Sequence, residues 1–279
     1  MKKVALIPNV ITALGLSCGL FVIFRMNMAE TGASNYSLIQ MSVILILIAA
    51  FVDVLDGAVA RLIHAESEFG IHFDSLSDSI TFGVAPCVVV LKTLSIIPGS
   101  ELSFFAMCAA LIYSVCGVLR LVRFNVKAFQ PKGNSYQEIS GNKNFTGLPI
   151  PASAIALVSL NLFLASDSFD KWFDFKEESK AICMLIGMVI LGYFMISRWK
   201  FPSVKSLNFK VPTYRLVLIT VLLSVLVLYS VFNHLALLSV ILSWGYLISA
   251  WVLSIVRLIA GKKSKTLEDF EPEPEDVDD

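Results

Sequence analysis

The chain has 279 residues, of which 56% are hydrophobic and only 16% charged, with a mean hydropathy of +0.76. A soluble domain is about 45–50% apolar and about 25% charged, so the excess excludes an ordinary water-soluble globule and calls for a bilayer. The 22 basic and 22 acidic residues cancel; net charge therefore names no partner, and no nucleic-acid partner is expected.

A helix that crosses the hydrocarbon needs about 20 mostly apolar residues. In chain order, eight stretches qualify as predicted spans: 10–28, 38–61, 73–97, 102–122, 150–165, 181–197, 216–232 and 235–259. The fifth and sixth are short by that standard. The expected fold is an all-α polytopic membrane bundle of about eight transmembrane helices, because backbone in lipid must satisfy its own hydrogen bonds. Residues 1–205 read as one membrane core, 206–261 as additional C-terminal helices, and 262–279 as an acidic, disordered tail. The start Met1-Lys2-Lys3 resembles a signal peptide, but Pro8-Asn9 interrupts the apolar run early, and a retained first helix explains more. The five cysteines, Cys18, Cys87, Cys108, Cys116 and Cys183, form no CxxC and lie in apolar stretches; they read as small buried hydrophobes, with no disulfide or zinc site.

Orientation follows from Lys and Arg in the loops. With the N-terminus in the cytoplasm, 17 of the 22 basic residues fall inside; the other five are Arg25, Lys92, Lys171, Lys176 and Lys180. Both ends and the 61–72 hairpin are then cytoplasmic.

Four acids stand where apolar residues are expected. Asp53 and Asp56 close the second span, and Asp74 and Asp78 open the third. An ionisable residue within a span is a functional hypothesis by default. Asp53 and Asp56 share one helix face with Gly57 and Ala60 close by, while Gly70, Asp74 and Asp78 fall at i, i+4 and i+8. The short connection makes an antiparallel hairpin that turns both acid pairs toward each other. Clustered carboxylates must either take up protons or be neutralised by cations. Oxygen ligands suit Mg²⁺, Mn²⁺ or Ca²⁺, and a two-metal site suits phosphoryl chemistry. The alternative is a proton or cation path in an ion-coupled transporter. Arg120 and Arg123, with Asn125 beyond, also have two readings: positive-inside anchors, or a pocket wall that grips a carboxylate or phosphate. Asn9 and Thr12 read as caps of the first helix, and Pro149 and Pro151 as its counterpart at the fifth.

The full pattern, Asp53-x2-Asp56-Gly57-x2-Ala60-Arg61-x8-Gly70-x3-Asp74-x3-Asp78, resembles the signature of the CDP-alcohol phosphatidyltransferases. That resemblance implies a membrane-embedded, usually dimeric helical core that binds a CDP-linked lipid and divalent metal, Mg²⁺ or Mn²⁺ and two ions, at the cytoplasmic face. It implies Asp53, Asp56 and Asp74 as metal ligands and Asp78 as the general base, also touching metal. Gly57 and Ala60 would lie against the cytidine, Arg61 would steady the site or the phosphates, and Asn9, Thr12 and Gly70 would line the same lipid-nucleotide site. Outside the signature, Ile7-Pro8-Asn9-Val10-Ile11-Thr12, Phe82-Gly83-Val84-Ala85-Pro86, the stretch 113–125, Phe145-Thr146-Gly147-Leu148-Pro149-Ile150-Pro151 and Lys200-Phe201-Pro202 resemble the integral-membrane phosphatidylserine synthases of bacteria within that family. One departure is Gly15, where an Asn is frequent. This branch implies CDP-diacylglycerol and L-serine as substrates, a bacterial inner membrane, and Arg120, Arg123 and Asn125 as acceptor-binding residues.

Overall fold

The computed structural model describes residues 6–29, 36–63, 67–129, 144–173, 175–197, 200–202 and 235–259. Among them, helix α1 (Leu6–Asn27) packs antiparallel to α2 (Tyr36–Leu62). The buried face of α1 is Pro8, Thr12, Gly15, Gly19, Val22 and Met26. These recur at alternating intervals of four and three, which keeps one stripe toward the neighbouring helix. Small residues in the middle of that stripe let backbones approach closely, as membrane helix packing requires.

Helix α3 (Glu68–Asp78) begins where the Ser67 side chain accepts a hydrogen bond from the Gly70 N–H at 3.0 Å, a side-chain cap on one of the free first-turn donors. It runs into a π-helical turn (Ser79–Val84) and then α4 (Ala85–Thr93), whose first turn carries Pro86. The three make one 26-residue apolar crossing, Glu68–Thr93. Two side chains of α5 (Glu101–Phe129) hold the wide turn: the Tyr113 hydroxyl donates to the Phe82 carbonyl at 3.3 Å, and Ser114 to that of Gly83 at 2.9 Å. On the other side the turn presses against Gly19. A Cβ there would sit 2.8 Å from the Cα of Thr81, so no larger residue fits without moving α1.

Helix α6 (Ile150–Leu164) has 15 residues and buries most of its surface. A helix apolar on all sides belongs in a core, and this one lies among α2, α4 and α8 (Glu177–Ile196). The short α7 (Asp167–Trp172) is capped by Ser166 and leads into an aromatic cluster of Phe163, Phe169, Phe173 and Phe175. The last described helix, α9 (Leu235–Ile259), docks on α6 through Ser243 and Ser159, 2.8 Å apart, and through the Trp244 indole N–H, which donates to the Ala156 carbonyl at 3.1 Å. Between α5 and α6, β1 (Asn144–Thr146) pairs antiparallel with β2 (Lys200–Pro202), Phe145 opposite Phe201. Gly147 follows with φ +76°, and a Cβ there would lie 2.6 Å from the Met195 carbonyl oxygen.

The all-α membrane architecture agrees with the sequence reading. Six described helices are long and apolar enough to cross a bilayer. Large apolar side chains such as Phe51, Val54, Phe104 and Leu111 are exposed on their outer faces, far more than a water-facing surface carries. The expected fifth span exists as α6 but is too short to qualify; the expected span 216–232, the tail and most of the cytoplasmic basic residues lie outside the described residues. Three boundaries need correction. The third crossing begins at Glu68 rather than 73, because Ser67 caps it there. The fourth helix continues to Phe129 rather than stopping at 122. Asn9 and Thr12 lie inside α1, not at its cap. The five cysteines are unpaired.

Candidate functional site

The end of α2 and the start of α3 meet at one end of the bundle, and the four aspartates converge there. Carboxylate oxygens of Asp53, Asp56 and Asp74 lie within 4.8 Å of one another. Asp78, one turn further along α3, lines the same cleft with Thr12, Gly15, Ser77 and Thr81. Asp56 is 5% exposed, and the Thr12 hydroxyl donates to its Oδ2 at 2.6 Å. That bond ties α1 to α2 at the cleft and fixes the carboxylate's rotamer.

The other expected residues fall around this centre at different distances. Asn9 reaches across to α3: the position of a Cβ on Gly70 would be 3.2 Å from the Asn9 Oδ1. The Arg61 guanidinium folds back over Gly57, its Nη1 3.5 Å from where a Cβ would be, so Gly57 leaves a gap beside the carboxylates that this side chain covers. Ala60 is half-buried and does not line the cleft. Arg120 lies within electrostatic reach of Asp78, and its Nε is buried without a hydrogen-bond partner. Arg123 donates from Nη1 to the Ile196 carbonyl at the end of α8 at 3.3 Å. Asn125 donates to the Ser75 hydroxyl at 2.8 Å, and Ser75 in turn donates to Ile71 O at 3.0 Å; the amide thus fastens α5 to α3 next to Asp74.

Sequence reasoning missed Ser75, Ser77 and Thr81 as parts of this region. Their signal was faint: hydroxyl residues are common in membrane helices, and only their i+1 and i+3 offsets from Asp74 and Asp78 set them apart. It also assigned Thr12 to a cap, although its partner is 44 positions away.

The donor set fits a hard divalent cation. Three carboxylates this close repel one another unless a positive charge lies between them, and oxygen-only ligands match magnesium or manganese rather than zinc. The hydrogen bond to this carboxylate group comes from the neutral Thr12 hydroxyl, which donates to Asp56. Fold and site together define a polytopic helical membrane protein with an acidic, metal-compatible centre at one end of its bundle.

The chain belongs to the CDP-alcohol phosphatidyltransferase family, whose model matches residues 5–193. That span contains α1 to α6 and nearly all of α8, and α9 lies beyond it. Among curated relatives, the chain is 32% identical to the CDP-diacylglycerol–serine O-phosphatidyltransferase of Helicobacter pylori over 245 residues, covering 87% of this chain and 92% of that protein. It is 33% identical to the protein of the same name from Bacillus subtilis over 200 residues, 72% of this chain and 92% of the relative. It is 30% identical to the one from Methanocaldococcus jannaschii over 203 residues, 73% of this chain and 77% of the relative.

Proposed function

We propose that this chain is a CDP-diacylglycerol–serine O-phosphatidyltransferase, transferring the phosphatidyl group to the hydroxyl of L-serine and releasing CMP. The observation that carries it is the convergence of Asp53, Asp56 and Asp74 within 4.8 Å, in a chain whose relatives bear that name over 92% of their length. On this reading the three aspartates hold two divalent ions, Mg²⁺ or Mn²⁺, and Thr12 keeps Asp56 in its ligating rotamer. When bound, those ions neutralise the carboxylates and draw charge from the diphosphate.

The protein's own groups do the rest. Gly57 leaves space for the nucleotide, and Arg61, lying over it, swings onto the phosphates. Arg120 receives the serine carboxylate, as a guanidinium with an unmatched donor is suited to do. Asp78, beside it, accepts the hydroxyl proton as the serine oxygen bonds to the phosphorus that carries diacylglycerol. The bond from that phosphorus to the CMP oxygen breaks, and CMP leaves as the phosphate monoester. Exclusion of bulk water by the surrounding apolar helices keeps hydrolysis from competing.

The Lys and Arg distribution supports a cytoplasmic cleft in a bacterial inner membrane, with residues 1–205 forming the catalytic core; the family resemblance supports a homodimer. Purified protein incubated with CDP-diacylglycerol, Mn²⁺ or Mg²⁺ and a panel of alcohols tests the proposal. Serine-dependent release of CMP with formation of phosphatidylserine is expected. An ion-coupled transporter would release no CMP, and preference for another alcohol would overturn the choice of acceptor.

A further inference from the structure

The Thr81 side chain is 1% exposed, and its hydroxyl has no hydrogen-bond partner. A threonine in a membrane α-helix ordinarily returns its proton to a carbonyl one turn back. Thr93, twelve residues on, does so to Val89 O at 2.9 Å. Thr81 does not: it sits in the π-helical turn Ser79–Val84 with its hydroxyl against Gly19 of α1. The turn is a built feature, held by Tyr113 and Ser114 on one side and seated against Gly19 on the other. Such turns inside α-helices are frequent at functional sites. This one places Thr81 in the wall of the aspartate cleft. A buried hydroxyl left unpaired is costly, so it calls for a partner that enters the cleft.

Depth identifies the partner. Along the third crossing the order is Gly70, Asp74, Asp78, Thr81, away from the polar end of the bundle. At about 1.5 Å per residue, Thr81 lies about 4–5 Å deeper than Asp78 and about 10 Å deeper than Asp74. With the diphosphate at the carboxylates, the next part of a CDP-linked lipid toward the bilayer interior is its glycerol end. We infer that Thr81 is a further substrate-contacting residue, whose hydroxyl donates a hydrogen bond to an ester or phosphoester oxygen at the glycerol end of the lipid donor. This rests on the phosphatidyltransferase reading, but not on which alcohol is the acceptor.

Binding to the full-length detergent-purified protein tests it, using CDP-diacylglycerol, a diether analogue without acyl carbonyls, and CDP alone, each with Mn²⁺. Thr81→Val keeps the shape and removes the donor. The expected result is about tenfold weaker binding of CDP-diacylglycerol with CDP binding unchanged, and recovery with Thr81→Ser; tenfold is the usual scale of one such bond. If the diether analogue is insensitive to the substitution, the contact is to an acyl carbonyl; if it weakens equally, the contact is to the phosphoester. Equal loss for CDP and the lipid, or no loss for either, overturns the assignment. Failure of the unmodified protein to bind any of the three overturns the phosphatidyltransferase reading instead.

Discussion

The Thr12 hydroxyl donates to Asp56 Oδ2 at 2.6 Å, joining the first and second helices at the mouth of the carboxylate cleft. A hydrogen bond to a charged group contributes about 1.5–3 kcal/mol, and ligand-orienting bonds of this kind typically change metal affinity by about 10–100-fold. Thr12→Val is therefore expected to raise the half-saturating Mn²⁺ concentration at least about tenfold, with Thr12→Ser close to the parent. A metal titration followed by CMP release and by protein thermal shift measures this. An unchanged titration would reduce Thr12 to packing.

Asp56 and Asp78 stand in the same cleft but in different company. Asp56 belongs to the group of three carboxylates within 4.8 Å, and Asp78 does not. Asp78→Asn is expected to leave binding of the lipid donor intact while turnover falls by ~10²-fold or more, the usual loss of a general base. Asp56→Asn should weaken metal dependence and lipid binding together. Near-normal turnover of the Asp78 variant at saturating metal would remove it from the proton-accepting role.

The carboxylate geometry was legible in the sequence because it depends on local periodicity. A pair at i, i+3 before a short turn and a pair at i, i+4 after it can face each other in a helical hairpin, and they do. The stretches 7–12, 82–86 and 113–125 stand apart in the sequence, and the structure ties the first to the aspartates through Thr12 and Asp56 and the other two to each other through Tyr113 and Phe82, Ser114 and Gly83. What the sequence hid were features set by tertiary contact. The π-helical turn has no composition of its own; it exists because α5 supplies donors to its carbonyls and Gly19 gives it room. The β1–β2 pairing is three residues long on each side, too short for an alternating pattern to register. Arg120 and Arg123 looked equivalent at i, i+3, and only the position of α8 separates them.

That separation gives a prediction. Arg123 is engaged with the Ile196 carbonyl, whereas Arg120 lies near Asp78 with its Nε buried and unpaired. Arg120→Ala is expected to raise the apparent KM for serine about tenfold or more, as loss of a charge-assisted hydrogen bond does, with a smaller change in that for CDP-diacylglycerol. Arg123→Ala should instead lower thermal stability with a lesser effect on the serine KM. Steady-state kinetics with each substrate varied in turn, alongside melting curves, distinguishes the two. If Arg123→Ala carries the serine effect and Arg120→Ala does not, their roles are exchanged.

The choice of serine over glycerol 3-phosphate can be argued from charge at the same place. Glycerol 3-phosphate brings about two negative charges near neutral pH, since a phosphate monoester's second ionisation lies near pH 6. A pocket for it must offer several cations beside already crowded carboxylates. Serine brings one carboxylate and one ammonium, so a single guanidinium and nearby acceptors suffice. Of the three residues expected to meet the acceptor, Asn125 is bonded to Ser75, Arg123 donates to the end of α8, and Arg120 is the one within electrostatic reach of Asp78. Among the described residues Arg120 can meet serine's single carboxylate, and the ammonium can be met by the carboxylate-rich wall. With both acceptors present at equal concentration, phosphatidylserine is therefore expected to be the main lipid product, followed by thin-layer separation or mass spectrometry. Raising the ionic strength should weaken use of glycerol 3-phosphate more than that of serine, because the doubly charged acceptor depends more on screened attraction. A product mixture dominated by phosphatidylglycerol phosphate would show that further cations reach the pocket, and would overturn the serine assignment while leaving the carboxylate centre in place.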